Sequence, residues 1–129
     1  MGKRLKEKNI VPDLMISSPA KRALDTCKKI AAALDYPEAK IRIEQDLYHA
    51  SDDDILNVVR SLNDNHDVVL IFGHNPGLTD FVNQLVNTHI DNVPTCGVVY
   101  CTLNTDSWRK INCETGKMLF FDFPRSRKD

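Results

Sequence analysis

No apolar run in the 129 residues approaches the roughly 20 needed for a membrane-spanning helix. The opening Met1-Gly2-Lys3-Arg4 leads into charge and not into a signal-peptide core, so neither a span nor a leader is expected. An excess of one charge is also lacking: 17 Lys and Arg against 18 Asp and Glu leave a net charge of -1. That balance offers no electrostatic footprint for nucleic acid or an anionic membrane. Only Arg125-Ser126-Arg127-Lys128 is locally basic, and a solvated chain end accounts for it. Cys27, Cys96, Cys101 and Cys113 form no C-x-x-C pair, which argues against a zinc site or a dithiol redox motif and for reduced thiols in a cytoplasmic protein. The phosphate loops G-x-x-x-x-G-K-[ST] and G-x-G-x-x-G are absent, so nucleotide binding of those types is not supported. No cysteine sits in a strand-end turn followed by a phosphate-cradling arginine, which argues against a thiolate phosphatase. There is no internal repeat and no low-complexity stretch.

What is present reads as one domain, with 42% hydrophobic and 27% charged residues, ordinary values for a globular chain. Its organising stretch is Val68-Val69-Leu70-Ile71-Phe72-Gly73-His74-Asn75-Pro76-Gly77. Five consecutive apolar residues predict a strand buried on both faces, as in a parallel sheet covered by helices. Asn75-Pro76-Gly77 then turns the chain into an amphipathic helix from Leu78. Ligands of open α/β sheets bind beyond the carboxyl ends of the strands, which is where His74 falls. A second stretch has the same design: Ile16-Ser17-Ser18-Pro19-Ala20-Lys21-Arg22 leads from strand to helix, with Ser18 as N-cap and Pro19 at the first helical position. Arg22 then lies in the first turn, where free backbone N–H groups and the helix dipole favour an anion, and its planar fork suits phosphate oxygens.

In chain order, Met1 to Asn9 reads as the end of a helix and Asp13 to Ser17 as the first strand. Ala20, Ala23, Leu24, Cys27, Ile30, Ala31 and Leu34 recur at helical spacing, and Ile41 to Glu44 alternates as a strand would. Ser51 with Asp54 fits a capping box, so Asp52-Asp53-Asp54 are expected to cap a helix rather than bind metal. His49 lies in the loop before that helix, within reach of the strand-end crevice, whereas His66 and His89 read as surface residues. Leu78, Phe81, Val82, Leu85 and Val86 mark the next helix. Val98–Leu103, Trp108–Cys113 and Met118–Phe123 read as strands joined by turns, an antiparallel edge on a mostly parallel sheet. The expected architecture is three-layer α/β/α.

Ser17-Ser18-Pro19-Ala20-Lys21-Arg22-Ala23 and Gly73-His74-Asn75-Pro76-Gly77-Leu78 resemble the second and last motifs of the histidine phosphatase superfamily, of the phosphoglycerate mutase-like fold. Asp46-Leu47-Tyr48 is similar to its middle segment, and GHNPGL in a short chain most resembles the SixA-type phosphohistidine phosphatases. The resemblance implies a phosphohydrolase working through a phosphohistidine intermediate, with no metal or organic cofactor. Arg22 and His74 would be catalytic, and Arg22, His74, Asn75 and Ser18 would bind the substrate, a phosphorylated protein or a small phosphate ester. Glu44 and Asp46 are the nearest candidates for a general acid. The superfamily's nucleophilic Arg-His-Gly or Arg-His-Ala motif, at the end of a first central strand, does not occur in this sequence. The expectation is therefore an N-terminally truncated domain, inactive without the upstream strand, with a homodimer through the exposed sheet as one way to cover it. The alternative is a pseudoenzyme that holds phosphate or a phosphoprotein without turnover.

Overall fold

The α/β order follows from the alternation of apolar runs and capped amphipathic segments, and a computed structural model describes residues 1–86, 89–93, 98–103, 105–112 and 116–122. Helix α1 (Gly2–Glu7) leads to strand β1 (Leu14–Ser17), then α2 (Lys21–Ala33), β2 (Arg42–Ile43), α3 (Asp52–Arg60), β3 (Val69–Phe72), α4 (Gly77–Val86), β4 (Val98–Leu103) and β5 (Gly116–Asp122). Cys96, Cys113 and the basic run 125–128 lie outside the described residues.

β1 is the middle of a three-stranded parallel sheet of order β2-β1-β3, with Leu14 opposite Val69 and Ser17 opposite Phe72. Alternation sends its side chains to both faces. Leu14 and Ile16 join Ile55, Val58, Val59, Phe81 and Leu85 of α3 and α4, while Met15 joins Leu5, Cys27 and Ile30 of α1 and α2. The layers are thus α1 and α2, sheet, α3 and α4. Among the described residues, no helix is long and apolar enough to cross a membrane.

Four sequence expectations need correction. The expected antiparallel edge exists as β4 paired with β5, but among the described residues this pair forms its own two-stranded sheet. Trp108–Cys113 is not a strand where it is described: Trp108–Lys110 is a 3-10 turn capped by Ser107, whose Oγ accepts from the Arg109 N–H. Asp64 holds the Ser107 hydroxyl and the Trp108 N–H, Trp108 Nε1–H donates to the His66 carbonyl, and Ile111 is fully buried. Helical-turn spacing of Trp108 and Ile111, not alternation, lets both pack on the α3 side. α2 starts at Lys21 with Ala20 as N-cap, because Ser18 Oγ accepts from the Ala20 N–H in a local turn before the helix. Finally, β3 is half-buried throughout rather than covered on both faces, in contrast to β1, whose four residues are all buried.

Candidate functional site

β1 and β3 run parallel with Ser17 opposite Phe72, so the turns that follow them emerge side by side. The Ser18 N–H donates to the Phe72 carbonyl at 2.9 Å, which extends the ladder to the lip of the site. Beyond it, His74 Nε2 and Ser18 Oγ are 2.8 Å apart. Ser18 is fully buried, and its Oγ also accepts from the Ala20 N–H at 3.2 Å. One buried hydroxyl therefore orients both the start of the α2 turn and the His74 ring.

Arg22, in the first turn of α2, and His74 line the same cavity of about 830 Å³, together with Thr26, Gly73, Asn75 and Val93 at this end. Burial first, and then the nearby His49 and Arg22, hold His74 below the ordinary histidine range. A neutral imidazole is the resting form at neutral pH, and it gains a proton most readily when a negative ligand offsets those neighbours. The site is thus a cationic guanidinium and an oriented imidazole at the mouth of a partly apolar cavity. That combination suits a tetrahedral oxyanion.

The turn bearing His74 is fixed by its own residues. The Asn75–Pro76 peptide bond is cis. Asn75 Nδ2–H donates to Asn92 Oδ1 and to the Val93 carbonyl, while Asn75 Oδ1 accepts from the N–H and the Oγ1–H of Thr79. The Val93 N–H in turn donates to Thr79 Oγ1. Both donors and both acceptor positions of the Asn75 amide are occupied, so its side chain clamps the segment 92–93 to the start of α4.

Across from this turn lies the middle segment. Glu44 pairs with Arg42 and accepts from the Asp46 N–H. The capping box is present: Ser51 Oγ accepts from the Asp54 N–H and the Asp54 carboxylate accepts from the Ser51 N–H. Tyr48 and His49 come up to the site, with ring centroids 6.2 and 6.1 Å from that of His74. The carbonyl of Ala50 packs against Gly77, where an added Cβ would collide with it. Only Gly allows this approach, which holds the middle loop against the His74 turn. Of the sequence candidates, Ser18, Arg22, His74 and Asn75 converge; His66 lines the same cavity beside Asp64 and Trp108, and His89 does not line it. The sequence places His49 in a loop before a helix, within reach of the crevice, and the structure brings its ring beside that of His74. Its proximity depends on the Gly77 contact, which no local pattern displays.

No protein-family model and no curated protein matches this chain. Solved structures do. A protein described as a phosphohistidine phosphatase SixA from Nakamurella multipartitia matches with a TM-score of 0.76 at 17% identity, over 97% of this chain and 78% of its own. The protein histidine phosphatase SixA in complex with tungstate matches with a TM-score of 0.75 at 18% identity, over 93% and 74%. A third, described as SixA from Agrobacterium tumefaciens, gives 0.70 at 18% identity, over 95% and 75%. This chain has the fold of the SixA phosphohistidine phosphatases.

Proposed function

We propose that this chain is the phosphoryl-binding framework of a histidine phosphatase that hydrolyses a phosphohistidine or a small phosphomonoester. The observation that carries the reading is the convergence of Arg22 and His74, from two strand ends, on one cavity with His74 oriented by Ser18. A SixA protein of the same fold has been solved with tungstate, a tetrahedral oxyanion, which supports a phosphate-like ligand here. Arg22 supplies a forked positive charge to the phosphoryl oxygens, and His74 donates to them as negative charge is concentrated in the transition state. Ser18 and Asn75 act by holding His74 and its turn, in place of the direct substrate contact expected of them from the sequence.

Turnover in this reading needs a nucleophilic histidine from outside residues 1–129, on a strand that completes the sheet of this single domain. Two features support that part. β3 is hydrogen-bonded on one side only among the described residues, and the cavity of about 830 Å³ lies between β3 and β4, which do not pair. A second copy pairing along the same edge would give a homodimer. Cys27 and Cys101 are free thiols, which suits a reducing cytoplasm.

The test is to titrate the chain with inorganic phosphate by calorimetry and to assay phosphate release from a phosphohistidine peptide, with residues 1–129 and with a form extended by a strand that ends in Arg-His. Binding lost in Arg22→Ala, with release appearing only in the extended form, is the expected result. Binding without release in either form assigns the phosphate-holding pseudoenzyme instead.

A further inference from the structure

Among the described residues, three other than glycine have positive φ: Asn9 at 60°, Asp35 at 58° and His49 at 53°. The first two are explained by helix ends. After α1, the Asn9 N–H donates to the Lys6 carbonyl and the Ile10 N–H to that of Leu5; after α2, the Asp35 N–H donates to Ala32 and the Tyr36 N–H to Ala31. Both are Schellman caps, in which a left-handed residue is the rule and Asn is a common choice.

His49 has a different setting. Tyr48 at φ −74°, ψ 118° and His49 at φ 53° lie between Leu47 and Ala50, with the Ala50 N–H directed at the Leu47 carbonyl at 3.4 Å. This is the geometry of a type II turn, whose third residue is normally Gly because any Cβ is strained there. A histidine in that position is a local cost with no helix end to account for it. Its ring is exposed, packs edge-on to Tyr48 at 4.2 Å between centroids, and lies 6.1 Å from the His74 ring at an interplanar angle of 35°. Among the described residues the imidazole of His49 has no hydrogen-bond partner. The loop is not free to drift away, since the Ala50 carbonyl is seated on Gly77 of the opposite turn.

Two imidazoles at this separation are too far apart to hydrogen-bond to each other. With His74 Nε2 held by Ser18 Oγ, the two rings are near enough for oxygens of one tetrahedral anion to meet both. We propose that His49 is a third contact of the oxyanion site, donating an N–H to an oxygen of the phosphoryl group that it shares with His74. The inference rests on the phosphoryl-site reading above and adds to it a residue from the middle loop. The titratable and charged groups facing His49 are Tyr48 on its own turn, His74 after β3 and, through His74, Arg22 of α2. The aspartates that follow it belong to the start of α3, where Asp54 is engaged with the Ser51 N–H.

The experiment uses the full chain with inorganic phosphate as the probe, following the imidazole resonances by NMR and the affinity by calorimetry. Phosphate is expected to shift the resonances of both His49 and His74. His49→Asn and His49→Gly are each expected to weaken binding about tenfold, the size of one charge-assisted hydrogen bond. His89→Asn is expected to leave it unchanged. His49→Gly relieves the turn, so it should melt at or above the wild-type temperature while binding less well.

Binding equal to wild type in His49→Asn, with the His49 resonances unmoved by phosphate, overturns the proposal and leaves the Arg22 and His74 site intact. A weaker His49→Gly that also melts lower assigns His49 to turn structure, and overturns it as well. If wild type itself binds no phosphate, the site reading fails and this inference fails with it.

Discussion

β1 and β3 are parallel neighbours of equal length that end at the same site, yet they are housed differently. Leu14-Met15-Ile16-Ser17 is buried at every position and paired on both sides. Val69-Leu70-Ile71-Phe72 is the more hydrophobic strand, but it is half-buried throughout, and among the described residues it pairs with β1 alone. The difference teaches that burial here follows position in the sheet and not composition. The site inherits the asymmetry: Ser18 is anchored to the fully packed strand, and His74 to the one with an open edge.

The largest effect that would sharpen or break this contrast is on stability. Ile16→Ala should cost about 4 kcal/mol, within the range for a fully buried aliphatic side chain, whereas Ile71→Ala should cost only about 1 to 2. Urea denaturation midpoints of the two variants measure it, and equal losses would mean that β3 is covered in solution. Next in size is amide exchange. The carbonyls of Val68 and Phe72 point at β1, so by alternation the N–H groups of Leu70 and Phe72 face β1 and those of Val69 and Ile71 face the open edge. Exchange at Val69 and Ile71 should be at least tenfold faster than at Leu70 and Phe72. Uniform protection along β3 would show that its edge is paired.

A smaller effect tests the link between the two strand ends. Ser18→Ala removes the hydroxyl 2.8 Å from His74 Nε2, and phosphate affinity should fall by a few-fold, roughly the worth of one neutral hydrogen bond, through loss of ring orientation. An unchanged affinity would detach Ser18 from the site. The smallest effect is in pH. Because the folded chain holds His74 below 6.5, the unfolded chain takes up the proton first, so the His74 contribution to stability is complete above about pH 6.5 and declines as pH falls through the folded midpoint. Saturating phosphate should raise that midpoint, which a histidine titration by NMR reads directly. A midpoint that phosphate leaves in place would separate His74 from the anion.

Much of this was readable from short-range pattern. The alternation and helical periods located β1, α2, β3, α4 and β4, and Ser51 with Asp54 announced the capping box that is present. These features depend on neighbours within about one turn, where sequence spacing is nearly the same as distance in space. The misses share a cause. The pattern makes Ser18 the cap of α2, but its hydroxyl accepts from the Ala20 N–H before the helix and meets His74, a partner 56 residues away. Trp108 and Ile111 looked like strand residues until Asp64, His66 and the α3 face gave that segment a turn to settle on.

By itself, then, the chain determined its element order, its parallel-sheet core and the two turns bearing Arg22 and His74, because apolar period, capping and turn chemistry are local. Tertiary structure alone decided the rest: that β3 pairs with β1 alone among the described residues, that the Asn75 amide clamps a loop, and that the bare Cα of Gly77 admits the Ala50 carbonyl and with it His49. Those outcomes depend on which surfaces meet across the fold, and contact between distant segments is set by packing, not by spacing along the chain.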